Sequence, residues 1–165
     1  MALTHKQLLA ALHYDPDTGE WTWRSPRKKI RVGQRAGSVR PDGYRHIGLC
    51  GARYLEHVLA VFYMTGSWPV AEVDHRDLNR SNGRWNNLRQ SDYSQNKMNR
   101  HVRSDSVSGV KGVAKHQKGY RARITAYGSV HDLGVHATPE AASSAYSAAA
   151  QKLHGEFSNT QTIGG

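Results

Sequence analysis

Between Glu72 and Arg100 the stretch EVDHRDLNRSNGRWNNLRQSDYSQNKMNR gathers carboxylate, imidazole and carboxamide side chains at spacings that suit hydrolysis. Asp74 and His75 follow the apolar Val73, so a brief strand would end in one metal-binding group and one proton-handling group. Asp74 and Asn96 offer oxygen ligands, which suit a hard divalent cation and leave positions for water and phosphate oxygens. A neutral His75 beside that cation can take a proton from attacking water. These are the parts of metal-assisted phosphodiester hydrolysis, with one metal because carboxylates are too few for a two-metal clamp.

Several elements must position these groups. The polar loop RDLNRSNGR should turn the chain, and Trp85 to Arg89 should form a return strand. Asp92 and Gln95 have capping-box spacing, so a short helix should begin there and carry Asn96, Asn99 and Arg100 on one face. The product would be a hairpin packed on a helix. Upstream, Leu55, Val58, Leu59 and Phe62 form a helical stripe that predicts a helix from Tyr54 to Thr65, ended by Gly66. His57 lies off that stripe, where it is either a surface or hydrogen-bonded histidine or a support for the site.

Asp74-His75, Asn87-Leu88-Arg89 and Asn96, together with the preceding LEHVLAVFYMTGSWPVAEVDH, resemble the HNH nucleases. This is the ββα-metal or His-Me finger group, and the resemblance is greatest to phage homing endonucleases. It implies His75 as general base, Asp74 and Asn96 as metal ligands, and Asn87 as the residue fixing the loop and the orientation of His75. It further implies structural support from His57 and Asn99, and Mg2+ as cofactor with Mn2+ able to substitute. Arg89 or Arg100 would neutralise developing phosphate charge, with a structural role for Arg89 as the alternative. Cys50 is the lone cysteine, so the structural zinc carried by many relatives is excluded by ligand count. Asn96 is a weak ligand where some relatives have His, which implies loose metal binding completed by DNA.

A chain of 165 residues allows one ordinary domain or two small ones, and 38% hydrophobic content supplies only modest cores. The formal charge of +10 favours a polyanionic partner, here double-stranded DNA. No apolar run can span a bilayer, so no membrane role is expected, and one cysteine fits a reducing cytoplasm, that of a phage-infected bacterial host by the resemblance. Thr4 and Gln7 form a capping-box pattern ahead of Leu8, Leu9 and Leu12, predicting a first helix. DPDTGE then turns the chain, Trp21 and Trp23 alternate as buried strand residues, and PDG at 41–43 predicts a hairpin. The run holding Arg27, Lys28, Lys29, Arg31 and Arg35 is either solvated surface or a DNA-phosphate contact, and beside a cleavage motif the second is favoured.

Beyond a polar linker at 101–107, three strands are expected at Gly109 to Ala114, Tyr120 to Ala126 and Val130 to His136. Tyr120, Ala122 and Ile124 alternate with Arg121, Arg123 and Thr125, so one face packs and the other is basic. Thr138, Pro139 and Glu140 start a final helix with Ala142, Ala145, Tyr146, Ala149 and Leu153 on its apolar side. This sheet and helix, closing on KLHGEF, resemble the plant APETALA/ethylene-response DNA-binding domain. That resemblance implies DNA contact by Lys111, Arg121 and Arg123.

The expected class is α+β: a ββα-metal nuclease core with N-terminal strands and helices, then a small three-stranded sheet plus helix. The expected divisions are a nuclease domain with a DNA-contacting extension over 1–100, a linker over 101–107, a DNA-binding domain over 108–158 and a tail over 159–165. The leading function is a metal-dependent DNA endonuclease, a phage homing enzyme by the resemblance. One site per chain nicks unless a homodimer on DNA supplies the second cut. The alternatives are a DNA-binding protein with an inactive HNH fold, and an RNA-binding basic protein that would leave the motif idle.

Overall fold

The computed structural model, which describes residues 2–92, 95, 98 and 108–158, begins with a helix for local reasons. Thr4 Oγ1 accepts from Gln7 N at 3.2 Å, while Gln7 Oε1 accepts from Thr4 N at 2.9 Å, starting α1 (His5–Ala11). The sequence extends the helical stripe to Leu12, but Leu12 opens strand β1 (Leu12–Tyr14), which pairs antiparallel with β2 (Trp21–Trp23). Trp21 and Trp23 are both buried, as their alternation predicts.

Strands β3 (Ser38–Val39), β4 (Arg45–Leu49) and β5 (Ala52–Leu55) form an antiparallel sheet in the order β3-β4-β5. The PDG turn joins the first two. Strand β5 was not anticipated, and it delays helix α2 to Glu56–Thr65. Cys50 and Gly51 have φ of 51° and 79°, the paired left-handed turn of a two-residue hairpin, so Tyr54 and Leu55 are drawn opposite Ile47 and His46. Gly66 closes α2 with its N–H on the Phe62 carbonyl.

Strands β6 (Glu72–His75) and β7 (Leu88–Ser91) pair in their own two-stranded sheet. The return strand starts at Leu88, three residues later than predicted, because Trp85–Asn87 makes a 3-10 turn. Trp85 N donates to the Pro16 carbonyl at 2.9 Å, a long-range bond that competes with strand pairing. One hydrophobic core runs through all these elements, from Leu3 and Trp21 to Leu59, Val73 and Leu88. The N-terminal residues therefore share their interior with the motif they precede.

Strands β8 (Val113–His116), β9 (Gly119–Ala126) and β10 (Ser129–His136) form an antiparallel sheet in the order β10-β9-β8. The first strand starts later than predicted, since Gly109 and Gly112 take positive φ and turn the chain. Helix α3 (Pro139–His154) starts as its sequence requires, with Thr138 Oγ1 accepting from Ala141 N at 3.2 Å. Ala142, Tyr146 and Ala150 of α3 are buried, and Ile124 packs with the latter two.

The chain divides into two compact units, Met1–Gln90 and Ser91–Gly165. This boundary lies ten residues before the expected end of the nuclease domain, and Met98 packs with Ala126 and Phe157 of the second unit. The expected linker at 101–107 and tail at 159–165 lie outside the described residues. Among the described residues no helix is long and apolar enough to cross a membrane.

Candidate active site

Val73, Asp74 and His75 of β6 are all buried, and strand alternation separates their surroundings. Val73 enters the core. Asp74 meets Arg89 of β7, whose Nε and Nη2 donate to Asp74 Oδ2 at 3.1 and 2.9 Å. Both side chains are nearly inaccessible, at 8% and 5% exposure, so this is a buried ion pair between adjacent strands. His75 packs edge-on against His57 of α2, with ring centroids 4.8 Å apart. Tyr44, at the foot of β4, faces both rings, 5.2 Å from His57 and 6.0 Å from His75.

Burial is the main influence on both histidines. It lowers His57 to about 3, helped by the neighbouring His75. It also lowers His75 from its usual value; Asp77 and Asp74 oppose this, and Arg80 adds to it. His75 is accordingly neutral at pH 7 and able to accept a proton.

The loop between the strands is organised by Asp77 and Asn87. Asn87 Nδ2 donates to Asp77 Oδ1 and to the Asn82 carbonyl, each at 2.9 Å, while Asn87 Oδ1 accepts from Asp77 N at 3.1 Å. Asn82 Nδ2 donates to Asp77 Oδ2 at 2.6 Å, and Asn79 N donates to Asp77 Oδ1 at 2.9 Å. Burial pushes the Asp77 carboxyl up, but these bonds outweigh it and hold the group below its usual range. Arg76 N also donates to the Asn87 carbonyl at 2.9 Å, so Asn87 ties down the residue beside His75.

A second buried carboxylate anchors the surrounding frame. Glu56, in the first turn of α2, accepts at Oε2 from Arg35 Nη2 at 3.2 Å and Arg45 Nε at 3.1 Å. Desolvation raises its pKa against the pull of both arginines. Gly37 packs so closely that a Cβ there would lie 2.2 Å from Glu56 Oε1.

A family model described as HNH endonuclease matches residues 54–98. The match supports an HNH-type domain over that stretch. The match takes in α2, β6, the loop and β7, less than a third of the chain. No curated protein and no solved structure matches the chain.

The HNH stretch brings Asp74 to Arg89 and His75 to His57, and places Asn87 in the loop. Asn96, Asn99 and Arg100 lie outside the described residues. Gln95 is described, and it accepts from Asp92 N at 2.9 Å while its own N donates to Asp92 Oδ1 at 2.8 Å, the capping box the sequence predicts. Among the described residues no group of three or more His, Cys, Asp and Glu comes together as a metal cage.

The basic residues fall into different settings. Lys28, Lys29 and Arg31 are exposed, and Arg27 lies 4.3 Å over the Trp23 ring. Arg35 turns inward to Glu56, so its charge is engaged within the fold. In the second unit, Lys111 Nζ donates to the Met98 carbonyl at 2.6 Å, and burial lowers this amine to about 8. Arg121 and Arg123 of β9 both reach Asp132 of β10, so the sheet face expected to be basic carries a carboxylate at its centre. Asp77, Tyr44, Arg80 and Glu56 escaped the sequence reading. The only local signal was for Asp77, whose Asp-Leu-Asn spacing suits a side-chain turn of this kind.

Proposed function

We propose that this protein is a divalent-metal-dependent DNA endonuclease. The observation that carries the reading is a buried, neutral His75 adjacent to Asp74 at the end of β6, within the stretch that matches the HNH endonuclease model. A binding protein has no need of a proton acceptor held in this way.

His75 accepts the proton of a water that attacks phosphorus; the phosphorus–O3′ bond breaks and the 3′ oxygen departs. Asn87 serves by holding the loop and Arg76 in place beside His75. Arg89 orients the Asp74 carboxylate and offsets its charge, so its role is positioning.

The donor chemistry fits Mg2+ or Mn2+. Asp74 presents a carboxylate aligned by Arg89, and with Asn96 it would form a small all-oxygen set completed by phosphate and water. When bound, such an ion supplies charge stabilisation for the reacting phosphate and the leaving oxygen. The C-terminal sheet would supply DNA contact through Arg121 and Arg123, as in the APETALA-type domain it resembles, with Asp132 limiting how much positive charge that face shows. The exposed Lys28, Lys29 and Arg31 would add phosphate contacts.

Incubating the full chain with supercoiled plasmid and Mg2+, with and without chelator, tests this reading. Nicked or linear product formed only with metal supports it. No conversion at any metal concentration would reject it.

A further inference from the structure

Arg89, the arginine beside Asp74 and His75, is buried and its guanidinium is paired with the Asp74 carboxylate. Arg80 is exposed. Its Nη1 donates to the Asp42 carbonyl at 2.8 Å, and its guanidinium carbon lies 4.8 Å over the Tyr44 ring. Ser81 Oγ donates to the Gly43 carbonyl at 2.9 Å, which ties the adjoining backbone to the same turn. Tyr44 in turn lies 6.0 Å from the His75 ring. Arg80, Tyr44 and His75 thus form one continuous line from the surface to the proposed general base.

A guanidinium seated on an aromatic face keeps its N–H groups at the edge, in the planar fork that binds phosphate oxygens. Among the described residues, Nη1 is the only Arg80 donor used in a hydrogen bond, and no carboxylate pairs with this side chain. A simple latch between turn and loop would not require this arrangement, since Ser81 already ties the two together. The geometry points to Arg80 as the residue that binds a DNA phosphate at the His75 site, with Tyr44 as the positioning residue that seats it. This rests on the endonuclease reading of the same site.

The test uses the full chain and the variants Arg80→Gln, Arg80→Lys, Tyr44→Phe and Tyr44→Leu, each checked by thermal melting. Plasmid cleavage with Mg2+ and the salt dependence of binding to a duplex oligonucleotide are both measured. Arg80→Gln should lower single-turnover cleavage by about 10²-fold, the usual scale for one lost charge-stabilising donor. It should also reduce the slope of log affinity against log salt by about 0.9, one phosphate contact. Arg80→Lys should restore the slope but only part of the rate, because it keeps the charge and loses the fork. Tyr44→Leu should lower the rate more than Tyr44→Phe, which keeps the aromatic face under Arg80. An Arg80→Gln variant with wild-type rate and slope overturns the inference, as does one that loses rate with the slope unchanged. If the wild-type chain does not cleave, the endonuclease reading fails, and the salt slope still decides the phosphate contact.

Discussion

Replacing Arg89 with Met separates a positioning role from a direct catalytic one. The guanidinium donates twice to Asp74 Oδ2, at 3.1 and 2.9 Å, with both side chains buried. Met preserves much of the stem volume but leaves the Asp74 charge without its guanidinium inside the fold. Removing one partner of a buried pair costs about 3–5 kcal/mol, because desolvation of the remaining charge is no longer offset. For a unit the size of Met1–Gln90, that cost should lower the melting temperature by more than about 10 °C. A cycle with Asp74→Asn and the double variant should show strong coupling, since each single change breaks the same buried ion pair. Calorimetry or circular dichroism melts of the four proteins supply the assay. An Arg89→Met protein that melts like wild type would refute the reasoning and return Arg89 to a purely catalytic role.

Acid should weaken the first unit. His57 is held at about 3 when folded, against about 6.5 when unfolded, so the unfolded chain takes up the proton first. Stability should therefore fall as pH drops through that window, by at most about 1.4 kcal/mol per pH unit for this group. Urea titrations from neutral to acid pH measure it, and His57→Phe should flatten the dependence. Gly19→Ala should destabilise by more than about 1 kcal/mol, because φ is +76° there and the new Cβ would lie 2.4 Å from backbone atoms of Gly83 and Arg84. An unchanged melt would show that the N-terminal turn does not seat against the loop. Asp132→Asn should tighten duplex binding and steepen its salt dependence by releasing Arg121 and Arg123 from their shared carboxylate. Weaker or unchanged binding would remove the β9 face from the DNA-contacting surface.

What could be read in the sequence was mostly what neighbours in sequence decide. Thr4 with Gln7, Thr138 with Ala141 and Asp92 with Gln95 are bonds across a single turn, and all three helix starts were predicted. The alternation of Tyr120 to Thr125 likewise needs only its own strand. The failures lie where a distant partner decides. Tyr54 and Leu55 carry a helical pattern, yet Ile47 and His46 draw them into β5. Trp85 leaves the return strand for a bond to Pro16. The site divides in the same way: Asp74 and His75 stand out by type and adjacency, but the choice of Arg89 by Asp74, and the approach of Tyr44 and Arg80 from separate loops, depend on tertiary packing. Arg35 and Arg123 illustrate the same limit, because a basic residue in a basic run gives no sign of the carboxylate that takes it up.

The central claim is that His75 accepts the proton from the attacking water. Single-turnover conversion of supercoiled plasmid by wild type and His75→Ala, at saturating Mg2+ and with matched DNA binding, tests it most directly. The predicted result is a rate lowered by about 10²–10⁴-fold, the usual share of general-base catalysis, at a temperature where both proteins are folded and with affinity little changed. Cleavage by His75→Ala at the wild-type rate would contradict it.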